Sequence, residues 1–312
     1  MSGLSVLIPE RGRPDLLAGT LAAVQAALSA VALPSELRVL VNGAPASDYA
    51  ALQAQFPQVH WAFVGHALGF HGAVQLLLQA AAHPWVYLLN SDMRLHSDAL
   101  SQLLPLRAPG VFAIASQIRF ADPHRRREET GYTLPVLNAD GQLELHDLLP
   151  PDETPRLHVY AGGGASLFLR EPLQRYLRLS QAYAPFYFED ADWGMQAWAE
   201  GYRVLYCPRS QAVHEHRATI ARYHSEAEIQ AVIVRNLAHF RWRYGDLFGA
   251  PRHGPGLREQ AASLLRSADR EHRQARLAVL RGAQAGRLRE LPQPQRVPAR
   301  PAALTSGPVI SH

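Results

Sequence analysis

Short apolar runs alternate with helical patterns along the first 90 residues, and this alternation leaves few folds open to the chain. Apolar strands separated by amphipathic helices are typical of a mostly parallel sheet with helices packed on its faces. The predicted strands are Leu4–Ile8, Leu37–Val41, Val59–Val64 and Trp85–Leu89. The predicted helices begin at Pro14, at Ser47 (with a serine N-cap) and at Gly69. The sequence therefore predicts an α/β domain.

The order of these elements also predicts where a ligand binds. In sheets of this kind, ligands bind beyond the carboxyl ends of the strands. The segments that follow the four strands should therefore gather at one edge of the sheet. These segments are Pro9–Arg13, Asn42–Ala44, Gly65–Phe70 and Asn90–Met93.

The rest of the chain divides into three parts by pattern. Strands and helices continue to residue 245, and the polar, proline-rich residues 121–158 indicate a loop or hairpin insertion. The predicted strands are Val111–Phe120, Ala165–Leu169 and Tyr202–Tyr206, and the helices are Glu189–Ala199 and Glu226–Tyr244. Residues 246–291 form a predicted basic helical extension, with an arginine-rich helix over 257–291, and residues 292–312 a proline-rich disordered tail.

Composition excludes several kinds of chemistry. All 31 basic residues are arginine, so no Schiff-base lysine and no lysine-bearing phosphate loop are available. The single cysteine, Cys207, excludes an internal disulfide framework and a multi-cysteine zinc site. The chain opens without a signal-peptide pattern, and the longest apolar stretch, residues 16–33, contains polar side chains. We therefore expect a cytoplasmic protein.

Charge is unevenly distributed along the chain. Residues 1–200 carry −6 (13 Arg against 19 Asp and Glu), and residues 201–312 carry +10 (18 Arg against 8). A basic C-terminal third favours an anionic partner, and we expect peripheral association with the inner face of the membrane. We expect no nucleic-acid binding, because basic and aromatic residues interleave only at Phe240–Tyr244.

Four polar or glycine-rich motifs could carry chemistry, and each has a plainer structural interpretation. Asn90-Ser91-Asp92 could bind a hard cation such as Mg²⁺ or Mn²⁺, or cap a helix. The acid cluster Glu189, Asp190 and Asp192 predicts a general base, or an acid-rich first helical turn. His214 could ligate a metal, although it is one of 15 histidines. Gly162–Gly164 permits close approach of a ligand, or forms a turn.

Together these motifs give the chain a resemblance to the family 2 glycosyltransferases of the GT-A fold, particularly the bacterial rhamnosyltransferase-like and galactofuranosyltransferase-like branch. The resemblance covers about residues 4–245. It rests on SVLIPERGRPDLL, GFHGAVQ, LLNSDM, GGGASLFLR and FEDADWGMQAWAEGYRVLYCP followed by Val213-His214. LLNSDM matches a form of the family's DXD metal motif, and the last block resembles the stretch that holds the catalytic base and ends in a metal-ligating histidine.

The resemblance implies a GT-A fold, a reaction and roles for individual residues. The implied reaction is inverting transfer of a hexosyl or deoxyhexosyl group from a UDP- or dTDP-sugar to a saccharide or lipid-linked hydroxyl, in cell-envelope polysaccharide biosynthesis. Asp92 and His214 would bind Mg²⁺ or Mn²⁺, and Asp190 would be the general base. The nucleotide-sugar site would include Pro9, Glu10, Arg11, Asn42, Leu68, Gly69, Asn90, Ser91 and Asp92. The acceptor side would include Gly163, Gly164, Glu189 and Trp193.

Three departures from the family's pattern leave the donor base open. Val41 or Asn42 stands where the family has an acid, Glu10 replaces a threonine, and Ala67 replaces an asparagine. Arg11, Arg13 and Arg217 are candidates, by position, for compensating the diphosphate charge. Two other functions compete: a sugar-nucleotide nucleotidyltransferase, whose glycine-rich, lysine-bearing loop this chain lacks, and a non-catalytic basic binding module.

Overall fold

A computed structural model describes residues 3–122, 128–130, 132–215 and 223–248, together with positions 281, 290, 295 and 296. The helices are α1 (Pro14–Ser29), α2 (Ala50–Gln55), α3 (Gly69–Ala80), α4 (Ala99–Leu103), α5 (Arg170–Leu179), α6 (Glu189–Glu200) and α7 (Glu226–Tyr244). The strands of the first half are β1 (Leu4–Glu10), β2 (Ser35–Asn42), β3 (His60–Val64), β4 (Trp85–Leu89), β5 (Met93–Leu95), β6 (Val111–Phe120) and β7 (Glu128–Thr130). The later strands are β8 (Tyr132–Leu137), β9 (Leu143–Leu148), β10 (Arg156–Leu157), β11 (Ala165–Leu169), β12 (Arg203–His214) and β13 (Gln295–Arg296).

The main sheet has the order β10-β12-β6-β11-β4-β1-β2-β3. Strands β1 to β4 are parallel, as the alternation of strands and helices predicts. Strand β11 runs antiparallel to both β4 and β6, and β12 runs parallel to β6, so the second half of the sheet is mixed. The strands β8 and β9 form a hairpin within the predicted insertion.

Helices pack on both faces of the sheet and bury two apolar clusters. Along β4, Trp85, Tyr87 and Leu89 face the cluster that includes α1, α2 and α4. The alternate residues Val86 and Leu88 face the cluster that includes α3, α5, α6 and α7. All five residues of β4 are buried, as expected for an unbroken apolar strand that is covered on both faces.

Several elements differ from their predicted form. The helix predicted to begin at Ser47 begins instead at Ala50, and Ser47 lies in a 3-10 turn over Ala46–Tyr49. No side chain caps either element, so the predicted serine N-cap is wrong. Strand β12 extends beyond the predicted end at Tyr206 and reaches His214. Its register with β6 shifts between Cys207 and Gln211, and this bulge accommodates Pro208 inside the strand. Helix α5 is additional to the predicted elements, and its buried residues are Pro172, Leu173, Tyr176 and Leu177.

The predicted C-terminal parts fall mostly beyond the described residues. Apart from positions 281 and 290, the arginine-rich helix predicted over 257–291 lies outside them, as does most of the tail over 292–312, so the three-part division stays a prediction. Within the tail, β13 pairs in parallel with Val136 and Leu137 of β8. Among the described residues, no helix is long and apolar enough to cross a membrane.

Candidate active site

The segments at the carboxyl ends of the first strands meet at one edge, as predicted. The Asn42 side chain accepts a hydrogen bond from the Leu68 amide (2.7 Å) and donates one to the Gly69 carbonyl (3.0 Å). Gly43 is left-handed (φ +83), and a Cβ there would lie 2.6 Å from the Ala67 nitrogen. Asn42 and Gly43 therefore fix the loop that leads into α3.

Glu10 organises the loop after β1. Its carboxylate is 1% exposed and accepts hydrogen bonds from the Arg13 amide and from the Tyr49 hydroxyl, the latter at 2.9 Å. Tyr49 accepts in turn from the Gly12 amide (2.9 Å). Burial raises the pKa of Glu10 above its ordinary value. The buried Glu10 side chain therefore stabilises the conformation of this loop through hydrogen bonds.

The arginines of the same loop have partners in the structure. The Arg11 guanidinium lies 3.8 Å above the Tyr223 ring, just before α7, and Arg13 pairs with Asp15 at 2.6 Å. Pro9, half-buried, is part of β1 beside Leu40 of β2. Arg217 lies outside the described residues.

Asp92 and His214 meet at the edge of the sheet. The Asp92 Oδ1 atom lies 3.2 Å from His214 Nε2, and the two side chains are 7% and 12% exposed. This contact arises because β5 pairs with the end of β12, which places His214 opposite Met93. Asn90, Ser91 and Asp92 form the turn between β4 and β5, and the next helix begins at Ala99, so the helix-cap interpretation does not apply.

Asp92 and His214 suit a divalent cation that also binds oxygens of the enzyme's substrate. An aspartate oxygen and a neutral imidazole nitrogen are both donors for Mg²⁺ or Mn²⁺ sites, which commonly leave positions for water and phosphate oxygens. In the part of the chain that the structure describes, no group of three His, Cys, Asp or Glu side chains could hold a metal. A cation held by Asp92 and His214 alone would keep most of its coordination positions for water and phosphate oxygens.

Gly163 and Gly164 connect this turn to the acid cluster. The Gly164 carbonyl accepts from the Asn90 amide (2.8 Å), and the Gly163 amide donates to Asp190 Oδ2 (3.3 Å). A Cβ on Gly164 would lie 3.2 Å from Asn90 Nδ2, and one on Gly163 would lie 3.0 Å from the Phe70 ring. Both distances are tighter than ordinary contacts, so glycine permits this close packing.

The structure separates the three acids at the start of α6. Burial raises the pKa of the half-buried Asp190 to about 6. Burial and the neighbouring Asp190 charge raise the pKa of Glu189, whose Oε2 atom is buried with no hydrogen-bond partner. Asp192 points elsewhere: it is fully buried, and its Oδ1 atom lies 2.7 Å from Arg243 of α7. Asp190 is therefore the acid of this cluster that contacts the glycine segment.

Trp193, placed on the acceptor side by resemblance, lies in the core. It is 0% exposed, donates to the Ser180 hydroxyl (2.9 Å) and packs its ring edgewise on Phe168. Trp193 follows Asp190 by about one helical turn, but its side chain packs into the core and reaches no solvent. We therefore leave Trp193 out of the candidate site.

Two supporting residues are additional to those suggested by the sequence. Thr20 of α1 donates to the Ser91 carbonyl (2.7 Å) and so holds the turn between β4 and β5, while Tyr49 holds the loop after β1. Thr20 carries a sequence signal, because it is a polar residue on the buried face shared by Leu17, Leu21 and Val24. Tyr49 carries none.

The mixed sheet with helices on both faces and a DXD-like turn after β4 defines a GT-A-type domain. Residues 2–245 match the sequence profile described as "Glycosyltransferase like family 2", and the chain belongs to that family. The prediction of a glycosyltransferase enzyme is thereby confirmed at the level of the family.

Two solved structures are similar in fold. One is the crystal structure of GalNAc-T7 with UDP, GalNAc and Mn²⁺ (TM-score 0.57, 13% identity, covering 85% of this chain and 54% of that chain). The other is the mannosyltransferase PcManGT from Pyrobaculum calidifontis with GDP-Man and Mn²⁺ (TM-score 0.48, 14% identity, 91% and 75%). The chain thus spans about half the length of the GalNAc-T7 chain. No curated protein matches the chain in sequence.

Proposed function

We propose that this protein is an inverting glycosyltransferase of the rhamnosyltransferase-like and galactofuranosyltransferase-like branch. It moves a sugar from a UDP- or dTDP-sugar to a hydroxyl of a saccharide or lipid-linked acceptor. One observation carries the proposal. Gly164 accepts a hydrogen bond from Asn90, in the turn that bears the Asp92–His214 pair (3.2 Å), and the adjacent Gly163 donates one to Asp190.

On the donor side, Asp92 and His214 would hold Mg²⁺ or Mn²⁺, and the GalNAc-T7 structure, similar in fold, contains Mn²⁺. Such a cation would supply Lewis-acid stabilisation of the diphosphate leaving group. Asn42 keeps Leu68 and Gly69 in place beside the donor, and Arg11 adds positive charge near the diphosphate.

On the acceptor side, Asp190 accepts the proton of the attacking hydroxyl. A base works best with a pKa near the working pH, and burial brings the pKa of Asp190 to about 6. The acceptor oxygen forms a bond to the anomeric carbon while the bond from that carbon to the diphosphate breaks. A single displacement of this kind inverts the anomeric centre.

Location is part of the proposal. The charge of +10 on residues 201–312 favours association with an anionic membrane, where lipid-linked acceptors of the cell envelope lie. Deletion of residues 255–312 should therefore weaken binding to anionic liposomes, and unchanged binding would contradict this part.

The test separates binding from transfer. The protein with Mn²⁺ is screened against sugar nucleotides by calorimetry, and release of UDP or dTDP is then followed with the donor that binds. Asp92→Ala should lose metal-dependent donor binding, whereas the exposed Asp98→Ala should keep it. Asp190→Asn should bind the donor normally and lose transfer, and normal transfer by Asp190→Asn would overturn the proposed mechanism.

A further inference from the structure

One buried side chain of α7 holds the loop that precedes the acid cluster. Asn236 is 0% exposed, and its Nδ2 atom donates toward the carbonyls of Tyr183 (2.8 Å), Phe186 (2.9 Å) and Tyr187 (2.9 Å). Buried carbonyls need hydrogen-bond partners. Asn236 therefore ties this loop together at a single point.

The loop ends in an unusual backbone conformation. Tyr187 and Phe188 both have φ of +72, in the left-handed region that non-glycine residues rarely adopt. Phe188 is the N-cap of α6, and Glu189 and Asp190 follow it directly. The direction in which α6 starts, and with it the position of Asp190 against the Gly163 amide, depends on these two residues.

We propose that Asn236 is a positioning residue for Asp190. By holding the three carbonyls, it keeps Tyr187 and Phe188 left-handed and so keeps the Asp190 carboxylate beside Gly163. This inference rests on the proposed function, in which Asp190 is the base.

Packing nearby holds α7 in place independently of Asn236. Ile229 and Ile233 bury against Phe186, and Phe240 contacts Phe188 with ring centroids 5.8 Å apart. A variant at Asn236 should therefore keep the fold while loosening the turn. Asp92 lies in the β4–β5 turn and His214 at the end of β12, so neither is on α6 or α7. A change at Asn236 should therefore leave the affinity for the sugar-nucleotide donor unchanged.

The experiment replaces the side-chain donor. Asn236→Asp preserves the shape and removes the amide protons, and Asn236→Ser leaves one shorter donor if the first variant folds poorly. Because small misplacements of a reacting group are costly, kcat per donor-binding site should fall about tenfold or more, with the donor KM within about twofold of wild type. Ala238→Gly in the same helix is the control: it lowers Tm without touching the loop and should keep kcat per site.

A second-site change tests the mechanism. Glycine adopts φ above zero readily, so adding Tyr187→Gly to Asn236→Asp should recover part of the lost kcat. Absence of any recovery, or a kcat for Asn236→Asp and Asn236→Ser equal to that of Ala238→Gly, would overturn the inference. If Asp190→Asn is inactive while Asn236→Asp matches wild type, only the positioning role fails. If Asp190→Asn transfers normally, the assignment of Asp190 as the base fails, and absence of transfer by the unaltered protein is the failure of the proposed function.

Discussion

The Asp192–Arg243 pair offers a sharp test of how α6 is held. Its atoms lie 2.7 Å apart, and both side chains are 0% exposed. Burial raises the pKa of Asp192, and the Arg243 charge opposes that effect. Arg243→Met removes the charge and leaves Asp192 with the hydroxyls of Tyr183 and Tyr244 as its remaining partners.

The expected loss of stability is large and depends on pH. Removing one partner of a buried ion pair costs about 3–5 kcal/mol. For a domain of this size, each kcal/mol lowers Tm by about 2–4 °C, so Tm should fall by about 10 °C. Without Arg243, the pKa of Asp192 in the folded state rises further above its unfolded value. The folded state then holds a proton that the unfolded state releases, so the loss should grow as the pH rises from 5 to 8.

The assay is urea and thermal unfolding at pH 5 and pH 8. Asp192→Asn combined with Arg243→Met removes both charges and should regain most of the lost stability. Arg175→Met is the matched control, because it removes the ion pair between Arg175 of α5 and Glu200, which lies on α6 as Asp192 does. These two side chains are 37% and 35% exposed. That control should cost about 1 kcal/mol or less. Equal losses for Arg243→Met and Arg175→Met at both pH values would refute the reasoning.

Two further predictions concern catalysis. Because burial raises the pKa of Asp190 to about 6, transfer should slow as the pH falls below about 6, and an acidic limb near pH 4 in a kcat profile would contradict this cause. Gly163→Ala places a Cβ 3.0 Å from the Phe70 ring, whereas at Gly162 the nearest atom is 3.7 Å away. Steady-state kinetics should therefore show a several-fold lower kcat/KM for Gly163→Ala than for Gly162→Ala, and equal values would contradict the close packing.

The elements of the first half could be predicted because apolar periodicity reports burial directly. Strand β4 and helix α3 begin where their patterns begin. Strand direction carries no such signal, since an apolar run such as Ala165–Leu169 reads the same in either orientation. The antiparallel β11 and the bulge that lets β12 reach His214 therefore appear only in three dimensions.

The same limit applies to the acid cluster. Helical spacing lets only part of the cluster face one cleft, and the structure assigns Asp192 to the core. That assignment depends on Arg243, which lies 51 residues later (243 − 192) on α7. Local spacing cannot show such a partner, and it cannot show that Asn236 spans the loop before α6.

The position of β4 has a consequence for synthesis of the chain. Strand β4 pairs with β1 on one side and with β11 on the other, where Trp85 lies opposite Leu169, 84 residues later (169 − 85). At about 5–20 residues per second, a ribosome needs about 4–17 s to make the second partner. Throughout that interval the wholly apolar WVYLL strand has an open edge, a known template for aggregation. A nascent chain stalled before residue 165 should therefore depend on chaperones. The full-length chain should not, because β11 pairs with the open edge of β4.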